Sequence, residues 1–493
     1  MKGGWAYERE MLKCTRYGND EEELRAMILS NGDRNRINEC SIDILSSLGV
    51  KVDSEEVREM MIGCGAEPSH YENAVCLPED VVKDYVKKAP SSVRFENLND
   101  ESVTLSPEGE TVFWACNALY IIEDRRKRDL ASSDFVDLTR IADSLENVHA
   151  MVGTSLSDYA PQTRDFVGFR LMAENTRKHL RPCIFTSRGV KAIIEMSKVL
   201  LDGRPLEEHP IFSLGYTSLS PPQWTRTALE SFQNSSGYRI PLMINGEPMA
   251  GGTSPVTLAG TLVLANAEVL SGIVIAQILE EGRPCIYNVG FSHVLDMQSL
   301  IAWTGSPETA LLAAAGAEMA KFHHLPSASW MCTESMMVDS QSAYEKMSTG
   351  LMHALGGVNI IWGIGSMESE LSISPEQMII DNDIAGVIER IKRGMKVDDD
   401  ALALGVIKKV GFKGNYLPTR HTMTNFRKEI RFSNLSNRYN RESWIARGSK
   451  SLEERAKNEV RNILNAKRKG YLGPEQRSKI MAIEKAWSAQ LGG

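Results

Sequence analysis

The residues able to do chemistry gather where short apolar runs end. The stretch INGEPMAGGTSPVT, residues 244–257, sets one carboxylate, Glu247, on a turn that also holds Gly251, Gly252 and Thr253. A phosphate loop would need a lysine after its last glycine, and a dinucleotide loop would need G-x-G-x-x-G. Neither is present, and Glu247 stands where an anion would sit, so the turn suits a cation or a neutral ligand. Other runs end in comparable residues: Tyr216, Ser220, Gln223 and Trp224; Asn288, Phe291, His293 and Asp296; Trp330, Cys332, Glu334 and Asp339; Trp362, Ser366 and Glu370. Aromatic rings flanking a few acids, with almost no lysine or arginine, describe a box for a quaternary ammonium group. Ring faces hold such a cation by roughly 0.5 to 2 kcal/mol each. The same rings also suit plain core packing, and Glu247 equally suits a loop cap whose glycines only permit the turn. Cys332 and Glu334 share a strand face, but two ligands do not make a zinc site, and no metal is expected.

These residues need a scaffold that aims them at one point. Eight short apolar runs, from the neighbourhood of Trp114 to VNIIWGIGS at 358–366, recur with helical segments between them. That rhythm fits βα units in a parallel sheet. Eight units is the count of a TIM (β/α)8 barrel, whose functional groups lie on the loops after the strand C-termini. A doubly wound sheet is the competitor, but its glycine-rich first turn is missing. The expected organisation is an N-terminal helical subdomain over 1–105, the α/β barrel over 106–385 and a C-terminal helical extension over 386–493.

Composition narrows the class. The chain has 493 residues, 42% hydrophobic and 24% charged, with a formal net charge of −8. This is the balance of an ordinary globular protein and not of a nucleic-acid binder. Basic residues outnumber acids after His421, which suits either a solvated helical face or an acidic partner. The N-terminal residues lack the apolar core of a signal peptide, and no run of 18 apolar residues suggests a membrane span. The 8 cysteines are scattered without a C-x-x-C pair, as in a reducing cytoplasm.

Longer stretches resemble a known family. EPMAGGTSPVTLAGTLVLANAEVLSGIVIAQ, GSPETALLAAAGAEMAKFHHLPS, DSQSAYEKM and IIDNDIAGVIERI are similar to the trimethylamine methyltransferase family. NECSIDILSSLGVKVDSEEVREMM resembles its N-terminal helices, and LPTRHTMTNFRKE resembles its C-terminal segment. The resemblance covers nearly the whole chain. It implies a TIM barrel that moves a methyl group from a methylated amine to Co(I) of a cognate corrinoid (cobalamin) protein, in a cytoplasmic homo-oligomer with no metal of its own. Trimethylamine-specific members carry pyrrolysine on the seventh strand, where this sequence reads SWMCTES, and members without it resemble demethylases of quaternary amines such as glycine betaine, proline betaine or carnitine. NYL at Asn415 stands where the family has HFL.

On this reading Glu247 walls a cation pocket formed with Tyr216, Trp224, Phe291, Trp330 and Trp362. Gly251 and Gly252 let backbone approach the ligand. Arg188, His293 and backbone N–H groups near Thr253 are candidates for a substrate carboxylate. Two other classes remain open: a lyase or hydrolase with Glu247 and Glu334 as acid and base, and a non-catalytic binder of betaine-like cations.

Overall fold

The computed structural model describes residues 25–412, 414–468 and 470–491; the N-terminal stretch read for a signal peptide lies outside them. Eight parallel strands form the centre: β1 (Val112–Ala115), β2 (Ala150–Val152), β3 (His179–Arg181), β4 (Leu214–Thr217), β5 (Leu242–Asn245), β6 (Cys285–Gly290), β7 (Ser327–Trp330) and β8 (Ile360–Ile364). Their lateral order is β3-β2-β1-β8-β7-β6-β5-β4. A parallel bridge from Leu180 to Phe212 joins the two ends, so the sheet closes. One helix follows each strand: α1 (Ser132–Ser144), α2 (Arg164–Asn175), α3 (Gly189–Leu201), α4 (Arg226–Asn234), α5 (Leu258–Leu279), α6 (Pro307–Phe322), α7 (Ser340–Gly356) and α8 (Pro375–Lys392). This is the expected TIM barrel, and the doubly wound alternative is excluded by the closure.

Strand alternation splits the apolar residues into two clusters. Phe113, Met151, Leu180, Leu242 and Tyr287 face the helices. Val112, Trp114, Ala150, Val152, Met243, Ile286, Trp330 and Trp362 face the lumen. A hairpin of Val93–Glu96 and Ser102–Leu105 closes the floor, placing Val93, Phe95 and Leu105 in the inner cluster. It lies at the N-terminal end of the strands, because Glu96 donates to the Pro210 carbonyl and Leu98 to that of Arg177, both ahead of a strand.

The flanking regions depart from a purely helical expectation. Before the barrel, helices Asn31–Ser47, Glu55–Gly63 and Glu79–Val86 alternate with short strands. Val50–Val52 lies between Ala74–Cys76 and Gln223–Trp224 in a small second sheet. Helix α5 is long and apolar enough to cross a membrane by length and composition, yet 78% of that window is buried inside the protein. It lies between strands β5 and β6 and the N-terminal helices, which explains its all-round hydrophobicity. At the other end, Leu452–Asn465 packs on α8 and α1, and Pro474–Leu491 on α3 and α2. The basic residues here partly pair with barrel acids, Arg477 with Glu174 at 3.1 Å for example.

A buried ion pair anchors the end of β8. Lys346 of α7 and Asp381 of α8, both fully buried, meet at 2.7 Å. Lys346 also donates to the Gly363 carbonyl and the Ser366 hydroxyl, while Asp381 accepts from the Gly365 N–H. Gly363 and Gly365 both have positive φ (111° and 91°). A Cβ on Gly363 would lie 2.1 Å from the Met331 carbonyl oxygen, so glycine is required there. Replacing Lys346 by Met is expected to cost about 3 to 5 kcal/mol, since it strands a buried carboxylate. The double replacement Lys346→Met with Asp381→Leu should lose less than the single one in denaturant titrations; equal or greater loss would show that the polar contacts to β8 dominate the pair.

Candidate functional site

The lumen is lined by rings above its apolar floor. Phe95 packs edge-on against Trp114 (centroids 5.6 Å) and His179 (4.8 Å). Trp114 reaches Trp362 at 5.7 Å, and Trp362 lies opposite Trp330 in the β7–β8 ladder. Phe291 stacks on Trp330 (4.6 Å, 22°) and meets Trp362 edge-on at 5.5 Å. His293 lies 6.2 Å from Trp330 and directs Nδ1 at the Phe291 carbonyl. Burial holds this imidazole below its ordinary pKa, hence neutral near pH 7. Of the five rings expected around a cation, Phe291, Trp330 and Trp362 lie together in the lumen, with His293, expected as a carboxylate donor, beside Trp330.

Acids lie beyond the strand ends, at the C-terminal mouth. Glu247 follows β5 by two residues, and Gly246 lets that strand end sit against α5: a Cβ there would come 2.7 Å from the Ala265 carbonyl oxygen. The Glu247 carboxyl is enclosed enough that burial pushes its pKa to about 7, although part of the residue remains accessible. Behind it on α5, Glu268 is pushed by burial to about 8. Glu370 is raised well above the carboxylate range, first by burial and then by the neighbouring Glu247. Burial thus shifts all three carboxyls toward their neutral form, and Glu247 raises both of its neighbours further. Three thiols share the Glu370 neighbourhood, with Cys116 Sγ 3.9 Å from its Oε1 and both Cys183 and Cys332 feeling its charge. No group of three or more histidine, cysteine or acidic side chains among the described residues is arranged to hold a metal ion.

Glu370 ends a left-handed run, Glu368–Ser369–Glu370, with φ of 50°, 52° and 71°. Such a conformation costs non-glycine residues on the order of 1 kcal/mol each and persists only where its surroundings enforce it. Ser369 N–H donates to the Thr333 carbonyl and Glu368 N–H to that of Ser335. The Ser369 hydroxyl donates to Glu334 Oε1.

Several sequence expectations are corrected by these placements. Glu334 accepts from Thr304 N–H and hydroxyl, Gly305 N–H and Ser369, so its carboxylate ties loops together. That leaves the acid–base pair of Glu247 and Glu334 without its second member. Trp224 belongs to the second sheet, beside Val52, and donates its indole N–H to Ser271 on α5, away from the lumen. Tyr216 occupies an outward position of β4 and packs edge-on against Phe232 of α4 at 5.2 Å. Gly252 and Thr253 lie on an exposed turn, and Gly251 beside them has φ 87°. The N–H groups of Gly252, Thr253 and Ser254 all donate to the Met249 carbonyl, so none is free for a ligand. Arg188 is exposed at the N-terminus of α3.

One lumen residue of consequence lies outside the sequence expectations: Arg181, the last residue of β3. It is buried, its guanidinium carbon stands 5.4 Å over the Trp362 ring, and its neighbour two positions back, His179, faces the same interior. Its sequence signal was the inward phase it shares with His179 along β3.

The closed barrel with its ring-lined lumen and acidic mouth is a TIM barrel, a fold whose enzymes carry their functional groups at the C-terminal face. The family model for trimethylamine methyltransferase (MTTB) matches residues 12–486. The chain is 30% identical over 436 residues to trimethylamine methyltransferase MttB of Desulfitobacterium hafniense (strain DSM 10664 / DCB-2), covering 87% of each. It is also 30% identical over 475 residues to a glycine betaine methyltransferase of Desulfitobacterium hafniense (strain Y51), covering 94% of this chain and 97% of that one. The crystal structure of the Methanosarcina barkeri monomethylamine methyltransferase (MtmB) shares the fold, with a TM-score of 0.50 at 11% identity over 94% of this chain and 93% of that one. The protein belongs to the trimethylamine methyltransferase family and is a methyltransferase.

The Glu247 pKa gives a sign for cation binding. Below about pH 7 its carboxyl is neutral, and above it the anion is present. Affinity for tetramethylammonium should therefore rise about tenfold from pH 6 to pH 8, as the ionised fraction grows from about one eleventh to about ten elevenths. Calorimetric titration across that range should find the rise in the native protein and a flat profile in Glu247→Gln. A flat native profile would remove Glu247 from the cation site.

Proposed function

We propose that the protein transfers a methyl group from a quaternary amine to the Co(I) centre of a cognate corrinoid protein. The observation that carries this reading is the cluster of Phe291, Trp330 and Trp362 beneath a mouth where burial holds the Glu247 carboxyl near the balance of its two forms, at about 7. Ring faces and one weak anion suit a cation whose charge disappears during reaction. A full complement of anions would stabilise the substrate more than the transition state.

The reduced corrinoid is the co-substrate, a nucleophile that takes the methyl carbon in line. The C–N bond breaks with its electron pair staying on nitrogen, and the amine departs neutral. No proton has to move, because a quaternary nitrogen is already a leaving group. The standard residues at SWMCTES agree with this economy, since a tertiary amine would need added activation before its nitrogen could leave. The protein's contribution is to exclude water and hold one methyl group toward the mouth.

Apolar side chains at the mouth supply a landing surface. Leu219, Val256, Met297, Leu300, Met336 and Leu371 are all exposed on loops that follow strands. Such an apolar rim around a polar opening suits the docking of a protein. The similarity to a glycine betaine methyltransferase over 94% of the chain favours a betaine as methyl donor.

The test is anoxic mixing of the protein with reduced cob(I)alamin or a cognate corrinoid protein and each candidate amine. Glycine betaine, carnitine or proline betaine should deplete the Co(I) absorbance and produce the methylated corrinoid, while trimethylamine should not. Silence with every quaternary amine in the presence of a functional corrinoid protein would sink the reading, and the binder reading would take its place.

A further inference from the structure

The lumen has a cationic end that the transfer reaction does not use. Arg181 is 5% exposed, and none of the described carboxylates forms an ion pair with it. Its two terminal nitrogens donate to the backbone carbonyls of Pro182 and Gly215, while Nε–H has no partner. The indole N–H groups of Trp330 and Trp362, buried in the same lumen, are unpartnered as well. Buried donors are rarely left unpaired, and a buried unpaired charge is costlier still. Burial lowers the Arg181 pKa, but a guanidinium keeps its proton in proteins.

Position along the barrel gives these groups a direction. All eight strands run toward the same mouth. Arg181 is still within β3, whereas Glu247 and Glu370 come after the last residues of β5 and β8. The anion-seeking groups are thus deeper than the acids. Gly215 is what makes room beside Arg181, because a Cβ there would lie 2.6 Å from its guanidinium nitrogen.

We infer that Arg181 holds the carboxylate of a betaine donor at the Trp362 side of the lumen, so that the trimethylammonium group of the donor points up toward Glu247. This assignment rests on the quaternary amine reading for the cationic end and adds the identity of the other end. Arg181 is a specificity residue: it selects betaines over choline-like cations and fixes which end of the molecule faces the methyl acceptor.

Binding separates this proposal from the transfer reaction. The probes are glycine betaine, tetramethylammonium (charge without carboxylate) and 3,3-dimethylbutanoate (carboxylate and three methyls on carbon in place of nitrogen). Quenching of tryptophan fluorescence should report binding of glycine betaine, and dimethylbutanoate should compete with it. Arg181→Met should weaken both carboxylates by at least about thirtyfold, the scale for losing one partner of a buried charge pair. It should leave tetramethylammonium within about threefold, and Arg181→Lys should recover part of the loss. Unchanged betaine affinity in a folded Arg181→Met would overturn the assignment. If that variant fails to fold, the wild type decides: tetramethylammonium binding as tightly as glycine betaine, with no competition by dimethylbutanoate, overturns it equally. Tight, Arg181-dependent betaine binding without methyl transfer would sink the reaction and support the carboxylate site. Methyl transfer as efficient from tetramethylammonium as from betaine would do the reverse.

Discussion

Desolvation is the constraint on which the rest of the lumen depends. Closing eight strands around rings and an apolar hairpin leaves the interior little water, so every ionisable group there is pushed toward its neutral form. His179 is held at about 4 and stays uncharged between the Glu96 carbonyl and the Ser213 hydroxyl. Glu247, Glu268 and Glu370 are all raised. Arginine alone keeps its charge under such pressure, which is why Arg181 is the fixed electrostatic feature of an otherwise adjustable cavity. The acids at the mouth act as a reservoir whose negative charge grows only when pH or a cation calls for it.

The scaffold around the cavity is built to hold loops rather than to react. Glu334 joins the residues around Thr304 to the strained turn ending at Glu370. Glu345 does the same for the segment after β7, accepting from the Thr333 hydroxyl and the Glu334 N–H. The Lys346–Asp381 pair fixes the end of β8 from the surrounding helices. Carboxylates with these partners are positioning elements, and their distance from the ring cluster is set by hydrogen bonds already satisfied.

The barrel was legible because its periodicity repeats eight times, so errors at single strands do not alter the count. The ring cluster was legible because tryptophan and phenylalanine at the ends of β6, β7 and β8 fall in inward phase. Trp224 and Tyr216 were not. Trp224, beyond the end of β4, joins a second sheet by pairing with Val52, far earlier in the chain, and no local pattern announces such pairing. Tyr216 sits one residue out of the inward phase, and a single step in a strand reverses the face. The near-repeat RPCI exposes the same limit more sharply. In LRPCIFTS the strand ends at Arg181, which faces the lumen, whereas in GRPCIYNVG the strand begins after Arg283. Arg283 is instead buried, donating to the Phe232 and Ile240 carbonyls and to the Ser235 hydroxyl. Identical four-residue strings thus lie at opposite ends of their strands, and composition alone cannot tell a site arginine from a structural one.

The hairpin that seals the barrel floor has a kinetic consequence. Val93, Phe95 and Leu105 fill the N-terminal end of the lumen with buried side chains, at the end opposite the C-terminal mouth. On the proposed function, a small donor and a macromolecular acceptor would then meet at the same C-terminal mouth. The donor would have to be seated before the acceptor docks, and the demethylated amine would stay trapped until the acceptor leaves. That function in this barrel would carry a compulsory order of addition and release, with an acceptor docked on the empty barrel as a dead-end complex.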